Sequence, residues 1–217
     1  MKERLKRVAH AAVDPLVTLL ARAGVGADVL TVLGLLFSAI AGLAFFEGLF
    51  QWGALLTAAA GVCDLLDGQV ARRRAGPSRF GAFLDSTLDR FGEALILVGI
   101  AGFYLVNLLE RVMDPARTLA DLQRGLEPRT WAVMALTAMV ALVGSFMVSY
   151  TRARAEGLGL ECKVGWFERP ERLVLLIVAG AFGVGPVMAI ALLLLTVLSF
   201  LTAAHRIVHV WRITRDR

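Results

Sequence analysis

The sequence predicts an all-α integral membrane protein with six transmembrane helices, preceded by an N-terminal interfacial amphipathic helix. First, 58% of its 217 residues are hydrophobic, which is more than an ordinary soluble domain contains. Second, several apolar runs approach the length needed to cross a bilayer. Third, these runs are continuous rather than alternating, which disfavours a membrane β-barrel. Because the backbone must satisfy its own hydrogen bonds in lipid, helices are the expected secondary structure.

The first 22 residues of the chain are amphipathic. Their basic side chains lie among apolar ones, at Lys2, Arg4, Lys6, Arg7 and Arg22. Because an apolar span follows, we expect a helix over 1–22 that lies on the membrane surface. Packing of this helix against soluble protein is the alternative. The segment lacks the basic start and apolar core of a cleavable signal peptide.

Six apolar segments follow. We predict spans over 29–46, 52–70, 81–109, 131–150 and 173–182, and a sixth that ends near 211. Glycine or proline marks most of the breaks between them. The polar stretch 110–130 is interpreted as a connecting loop with room for a short surface helix. We therefore predict one membrane domain over 1–217, made of the juxtamembrane helix 1–22 and a six-helix bundle over 27–211.

The distribution of charge predicts the orientation of the bundle. The net charge is +5. Most of the Lys and Arg residues fall in the N-terminal segment, the 71–80 loop, the 152–172 segment and the C-terminus, which six spans would place on one side. The positive-inside rule assigns that side, with both termini, to the cytoplasm of the cytoplasmic membrane. We interpret the basic residues as topology signals and contacts to anionic lipid, and we expect no nucleic-acid partner.

Four carboxylates interrupt the second and third spans. Asp64 and Asp67 are spaced i, i+3, and Asp85 and Asp89 are spaced i, i+4, so each pair shares one helix face. Carboxylates within a membrane are costly and indicate a functional site. Hard oxygen ligands without a histidine or thiolate cluster favour Mg²⁺ or Mn²⁺. A buried polar network that fixes helix packing and an ion-binding transporter site are the alternatives.

These carboxylates belong to a longer pattern. Its fixed positions are Asp64, Asp67, Gly68, Ala71, Arg72, Gly81, Asp85 and Asp89. The pattern resembles the signature of the CDP-alcohol phosphatidyltransferases, and the order of surface helix and six spans is similar as well. The resemblance implies that the four Asp bind two metal ions, Mg²⁺ or Mn²⁺, and that Asp89 is the general base. A two-metal site suits displacement at a phosphorus.

The same resemblance implies a nucleotide site. Gly68 and Ala71 are small enough for a nucleotide to approach the helix backbone, Arg72 can contact a pyrophosphate, and Gly81 permits close packing. Asp28 and Thr31 resemble a family element near the nucleotide, although Ala27 stands where the family usually has proline. Simple helix capping by Asp28 is the alternative for that residue.

A second group of residues resembles one subfamily, the phosphatidylinositol-phosphate synthases. It lies in the stretches 149–156 and 168–173. The resemblance assigns Ser149, Arg152, Arg172 and Arg206 to a pocket for the acceptor phosphate, with Arg152 in place of the usual lysine. Ordinary arginines at the cytoplasmic edge are the alternative. We expect two further arginines, Arg154 and Arg169, to pair with neighbouring glutamates.

The resemblance therefore implies an enzyme that transfers a phosphatidyl group from CDP-diacylglycerol, a membrane lipid, to a soluble phosphorylated polyol, with release of CMP. Inositol 1-phosphate is the expected acceptor, and glycerol 3-phosphate is the alternative. The more distant alternative is a transporter of metal ions or lipid. A homodimer is expected from the family, and small residues such as Gly92, Gly99 and Gly102 would allow close helix contacts.

Overall fold

The computed structural model describes residues 14–74, 76, 78–123 and 127–215. All regular secondary structure in these ranges is helical. The helices are α1 (14–22), α2 (Ala27–Phe46), α3 (Phe50–Arg74), α4 (Arg79–Met113), α5 (Pro115–Gln123), α6 (Pro128–Gly157), α7 (Arg169–Ala181) and α8 (Pro186–Arg215). The predicted all-α class is confirmed. Of the predicted helix over 1–22, residues 14–22 are helical and residues 1–13 lie outside the described ranges.

Five of the helices, α2, α3, α4, α6 and α8, are long and apolar enough to cross a membrane. Their outward faces carry exposed apolar side chains such as Leu43, Leu55, Leu136 and Leu193, which suits contact with lipid. The protein is therefore an integral membrane protein. The predicted fifth span corresponds to α7, which has 13 residues. At 1.5 Å per residue α7 is about 20 Å long, shorter than the hydrocarbon core of a bilayer, so the sixth crossing stays a prediction.

The helices extend beyond the predicted spans at their charged ends. α3 continues through Arg72 and Arg73, and α4 begins at Arg79, where the Ser78 hydroxyl accepts a hydrogen bond from the Gly81 N–H at 2.8 Å. Serine is a preferred N-cap residue because it satisfies such a free amide. The short surface helix expected within 110–130 is present as α5. Hydropathy predicts only the part of a helix that faces lipid. The residues at which a helix begins and ends are decided by its caps.

The five long helices and α7 pack in a closed ring, in the order α2, α3, α7, α8, α6, α4. α3 and α4 make few direct contacts, because α2 packs against both. The contact of α2 with α4 is very close: a Cβ built on Gly99 would lie 2.0 Å from the Gly42 carbonyl oxygen. Gly92 and Gly102 likewise face Ser38 and Phe46 of α2. The small residues that we expected to allow close helix contacts therefore make them within the chain.

One end of the bundle, here named the charged end, contains α1, the α3–α4 connection, the segment 158–168 and the end of α8. Val17 of α1 is fully buried there against Leu30, Leu66 and Val70, and Arg73 pairs with Asp14. At the opposite end the rings of Phe50 and Phe103 meet edge to face, with centroids 4.9 Å apart. Successive helices of the bundle run in opposite directions between these two ends.

Candidate active site

Three of the four predicted carboxylates form one cluster at the charged end. Carboxylate oxygens of Asp64 and Asp67 on α3 and of Asp85 on α4 all lie within 4.8 Å of one another. Asp67 is buried and the other two are half-buried. The buried Oδ1 of Asp85 has no hydrogen-bond partner among the residues that the structure describes. Clustered oxygens and an unpaired buried acceptor fit a hard divalent cation, since a buried charge needs a counter-ion.

Thr31 ties α2 to this cluster. Its hydroxyl donates to the Asp67 carboxylate at 2.8 Å and also lies 3.1 Å from the Ala27 carbonyl oxygen. Both Thr31 and Asp67 are buried. A threonine hydroxyl has one proton to donate, so the shorter contact favours the carboxylate. Thr31 thereby orients Asp67 from outside the motif on α3 and α4.

A cavity of about 340 Å³ opens beside the cluster, between the starts of α2 and α4 and the end of α3. It is lined by all six residues predicted to bind nucleotide and by two of the carboxylates: Asp28, Thr31, Asp67, Gly68, Ala71, Arg72, Gly81 and Asp85. The structure thus brings together residues that are up to 57 positions apart in the sequence, as 28 and 85 are numbered. A cavity of this size is within the range of small-molecule sites.

The glycines keep this cavity open. A Cβ on Gly81 would lie 2.9 Å from the Ser78 hydroxyl and 3.3 Å from an Asp28 carboxylate oxygen. A Cβ on Gly68 would lie 3.3 Å from a guanidinium nitrogen of Arg72. Capping by Asp28, the alternative for that residue, is wrong: Gly26 is the N-cap of α2, and Asp28 lies in the first turn. There a carboxylate is favoured by the helix dipole.

Asp89, the fourth carboxylate, lies outside the three-carboxylate cluster and is joined to it by Arg169. Nη1 of Arg169 lies 2.8 Å from Oδ2 of Asp64 and 2.7 Å from Oδ1 of Asp89. Our expectation that Arg169 pairs with neighbouring glutamates is therefore wrong. The sequence places Arg169 just before Pro170, at the start of a span, but gives no sign that α7 begins beside α3 and α4. The role of Arg169 at the carboxylates was therefore missed in the sequence analysis.

Arg172, one turn further along α7, has a different partner. Its Nε and Nη2 donate to the two carboxylate oxygens of Glu93 at 2.6 and 2.8 Å. Arg172 is 1% exposed and Glu93 4%, so this is a buried, bidentate pair between α7 and α4. Glu93 was also missed, although an ionisable residue inside a predicted span is itself a signal.

The other two predicted phosphate-binding arginines meet at Glu168. Arg206 donates from Nη2 to Oε1 of Glu168 at 3.0 Å and from Nε to the Val164 carbonyl at 2.8 Å. Nη1 of Arg152 lies 3.7 Å from the same Glu168 oxygen. Arg206 is 2% exposed, whereas the Arg152 side chain is 40% exposed. The closer partner of Arg152 is Glu156, whose Oε1 accepts a hydrogen bond from Nε at 2.9 Å. Glu168 therefore lies between the two guanidinium groups, bonded to Arg206 and at longer range from Arg152.

Ser149 lies apart from that carboxylate. It lines a cavity of about 430 Å³ between α4 and α6, together with Arg90 and several aromatic side chains. The structure thus brings Arg152 and Arg206 together, pairs Arg172 with Glu93, and places Ser149 on a neighbouring surface.

Comparison with known proteins gives a consistent result. The sequence profile described as CDP-alcohol phosphatidyltransferase matches residues 25–211. The chain is 35% identical to the archaetidylinositol phosphate synthase of Methanothermobacter thermautotrophicus, over 98% of this chain and 95% of that protein. It is 36% identical to the phosphatidylinositol phosphate synthase of Cutibacterium acnes, over 92% of each chain.

Solved structures agree. The phosphatidylinositol phosphate synthase of Mycobacterium tuberculosis with CDP-DAG bound superposes with a TM-score of 0.73 at 30% identity, over 91% of this chain and 92% of that one. The same enzyme in complex with manganese and citrate gives a TM-score of 0.72, at 30% identity over 91% of this chain and 88% of that one. The profile match and the curated relatives lead to one conclusion: this chain belongs to the CDP-alcohol phosphatidyltransferase family.

Proposed function

We propose that the protein transfers a phosphatidyl-type group from a CDP-activated lipid to inositol 1-phosphate and releases CMP. The observation that carries this proposal is the cavity that the predicted nucleotide residues share with two of the clustered carboxylates, Asp67 and Asp85. The relatives named for phosphatidylinositol phosphate and archaetidylinositol phosphate support the acceptor. Since these names cover two kinds of lipid product, CDP-diacylglycerol is the first donor to test and its archaetidyl counterpart the second.

The carboxylates Asp64, Asp67, Asp85 and Asp89 would hold two divalent ions, Mg²⁺ or Mn²⁺. The cluster geometry and the unpaired Asp85 oxygen support this assignment, as does the manganese complex of the related structure. When bound, such ions neutralise the diphosphate of the nucleotide and favour departure of CMP. Thr31 keeps the Asp67 carboxylate in place through its hydrogen bond.

The cavity beside the cluster would hold the CDP part of the donor. Arg72, an exposed residue at its edge, supplies a cation for the pyrophosphate. Gly68, Ala71 and Gly81 leave the helix backbones accessible, and Asp28 offers acceptor oxygens to the nucleotide.

Asp89 is the proposed general base. It accepts the proton of the attacking inositol hydroxyl as the new oxygen–phosphorus bond forms and the bond between that phosphorus and CMP breaks. The position of Asp89 supports this role, because it lies outside the three-carboxylate cluster and next to α7, which carries Arg172 and follows Glu168.

The acceptor phosphate is proposed to bind between Arg152 and Arg206. Ser149, on the neighbouring surface, and Arg172, which is paired with Glu93, are the further contacts that the family resemblance implies. The phosphate oxygens would take the place that the Glu168 carboxylate occupies beside Arg206 and that Glu168 and Glu156 occupy beside Arg152. A phosphate dianion carries more charge than one carboxylate and accepts bidentate hydrogen bonds from arginine. Arg152 is the entry contact, because it is the more exposed of the two.

We further propose that the active site and both termini face the cytoplasm and that α7 is the sixth crossing. Gly180, near the end of α7, packs against Ala54 and Phe45 close to the opposite end of the bundle, which supports a crossing. The one-domain organisation over 1–217 and a homodimer are proposed from the family. Chemical cross-linking in native membranes tests the dimer, and protease access to terminal tags tests the orientation.

The decisive experiment is CMP release by purified protein with CDP-diacylglycerol and Mg²⁺. Inositol 1-phosphate, glycerol 3-phosphate and no acceptor form three arms, and mass spectrometry identifies the lipid product. We expect CMP only with inositol 1-phosphate. Preference for glycerol 3-phosphate would reassign the acceptor. If neither lipid donor gives acceptor-dependent CMP, the enzyme proposal fails and the transporter alternative is favoured. Asp85→Asn should abolish turnover, while Glu47→Gln, an exposed acid at the opposite end, should not.

A further inference from the structure

Arg169 and Arg172 lie one turn apart on α7 but hold their carboxylates in different ways. Arg172 uses two nitrogens on two oxygens of one glutamate, at 2.6 and 2.8 Å. This is the fork geometry in which arginine binds carboxylate most specifically. Arg169 instead places one nitrogen, Nη1, against oxygens of two aspartates, at 2.8 and 2.7 Å. Arg172 therefore forms a fixed ion pair with one partner, whereas Arg169 shares a single nitrogen between two partners.

The Arg169 contacts are electrostatic rather than directional. Although Nη1 is close to both aspartates, it is buried without a well-aligned hydrogen bond to any residue in the described part of the chain, and so is Nε. The guanidinium therefore acts at this position as a single positive charge between two carboxylates. A compact cation would satisfy the same two oxygens without the cost of unaligned donors.

Asp64 belongs to two groups at once. It is part of the three-carboxylate cluster with Asp67 and Asp85, and it is also one of the two partners of Arg169. Any cation that draws the Asp64 and Asp89 oxygens together must compete with the guanidinium for them. This competition is strong because the side chain of Arg169 is only 15% exposed, so that solvent and salt screen its charge weakly at these oxygens.

We propose that Arg169 is an exchangeable internal counter-ion, which holds Asp64 and Asp89 and is displaced from them when the carboxylates ligate a divalent cation. Arg169 thereby sets the metal affinity of the site and keeps four neighbouring carboxylates compatible with folding. The inference rests on the proposed function for the existence of the metal site, but not on the transfer reaction or on the acceptor.

The test is binding of Mn²⁺ alone, measured from the signal of free Mn²⁺ by electron paramagnetic resonance in detergent. Arg169→Gln removes the competing charge and should tighten binding about fivefold. Arg169→Lys keeps the charge on a smaller, strongly hydrated group and should give an intermediate affinity. Arg154→Gln, the same change at an exposed arginine near the end of α6, should leave binding unchanged.

Thermal unfolding in EDTA provides a second readout. Arg169→Gln should unfold at a lower temperature than the parent protein in EDTA and should gain more from added Mn²⁺. Unchanged or weaker Mn²⁺ binding in Arg169→Gln would overturn the proposal, since a residue that only orients the ligands loses affinity when removed. If that variant does not fold, unchanged or weaker binding in Arg169→Lys overturns it equally.

The two proposals fail separately. Tighter Mn²⁺ binding in Arg169→Gln, together with no CMP release from the parent protein, would reject the reaction and keep the counter-ion. Acceptor-dependent CMP release by the parent protein, together with unchanged Mn²⁺ affinity in Arg169→Gln, would keep the reaction and reject the counter-ion.

Discussion

Arg172 and Glu93 form a bidentate ion pair inside the bundle, 79 positions apart in the sequence. Both side chains are almost fully buried. Removing one partner of such a pair leaves an uncompensated charge in a medium that cannot solvate it. The pair therefore fixes the start of α7 against α4, at the level where Arg169 reaches the carboxylates.

Glu93→Gln is expected to destabilise the protein by about 3–5 kcal/mol, because Arg172 loses its counter-charge. The midpoint of thermal unfolding in detergent measures the effect. The double variant Glu93→Gln with Arg172→Gln removes both charges and should recover part of the loss. If Glu93→Gln unfolds like the parent protein and only the Michaelis constant for the acceptor changes, Arg172 acts on the acceptor rather than on the fold.

Thr31→Val is expected to weaken Mn²⁺ binding about 10- to 100-fold, the usual cost of losing a group that orients a metal ligand. Valine keeps the shape of threonine but cannot donate the hydrogen bond to Asp67. Thr57→Val is the matched control, since Thr57 is also buried on a helix but donates only to the Gly53 carbonyl. Equal Mn²⁺ affinity in the two variants would exclude a positioning role for Thr31.

Gly99→Ala and Gly61→Ala should have opposite effects on the free energy of unfolding. A Cβ at residue 99 would overlap the Gly42 carbonyl oxygen, whereas one at residue 61 meets nothing within 4 Å. Overpacking is expected to cost about 1–3 kcal/mol or more at residue 99. At residue 61 the better helix former should add about 0.5–1 kcal/mol. Urea or thermal unfolding in detergent compares the two, and a stable Gly99→Ala protein would contradict the close packing of α2 on α4.

Arg152→Gln should raise the Michaelis constant for the phosphorylated acceptor about 10- to 100-fold, the effect of losing one charge-assisted hydrogen bond. The constant for the CDP-lipid should not change, because Arg152 does not line the cavity proposed for the nucleotide. Arg154→Gln, two residues away and exposed, should behave like the parent protein. A parallel rise for both substrates would point to a disturbed fold.

Much of this architecture follows from the sequence. Apolar length predicts the long helices, and the spacings of Asp64 with Asp67 and of Asp85 with Asp89 predict a shared face on each helix, because both properties are local. The resemblance of Asp28 and Thr31 to a family element also placed them near the nucleotide residues, and the structure brings them into the same cavity.

The partners of the arginines do not follow from the sequence. Whether Arg169 contacts glutamates nearby or aspartates on other helices depends on which helices are neighbours in the ring, and hydropathy carries no such information. The same holds for Arg172, whose charge could serve a phosphate or a buried glutamate equally well. Tertiary packing decides between partners that are chemically equivalent.

The position of α2 between α3 and α4 makes the carboxylate motif dependent on residues outside it. The gap across which Asp64 and Asp67 face Asp85 is set by how deeply α4 settles onto α2, and that depth is limited by backbone contact at Gly42 and Gly99. A chimera that takes α3 and α4 from a relative, but retains its own α2, would combine the Gly42 and Gly99 contact surfaces of two different proteins, and the gap between the carboxylates would change. The unit that can be exchanged among relatives is therefore α2, α3 and α4 together.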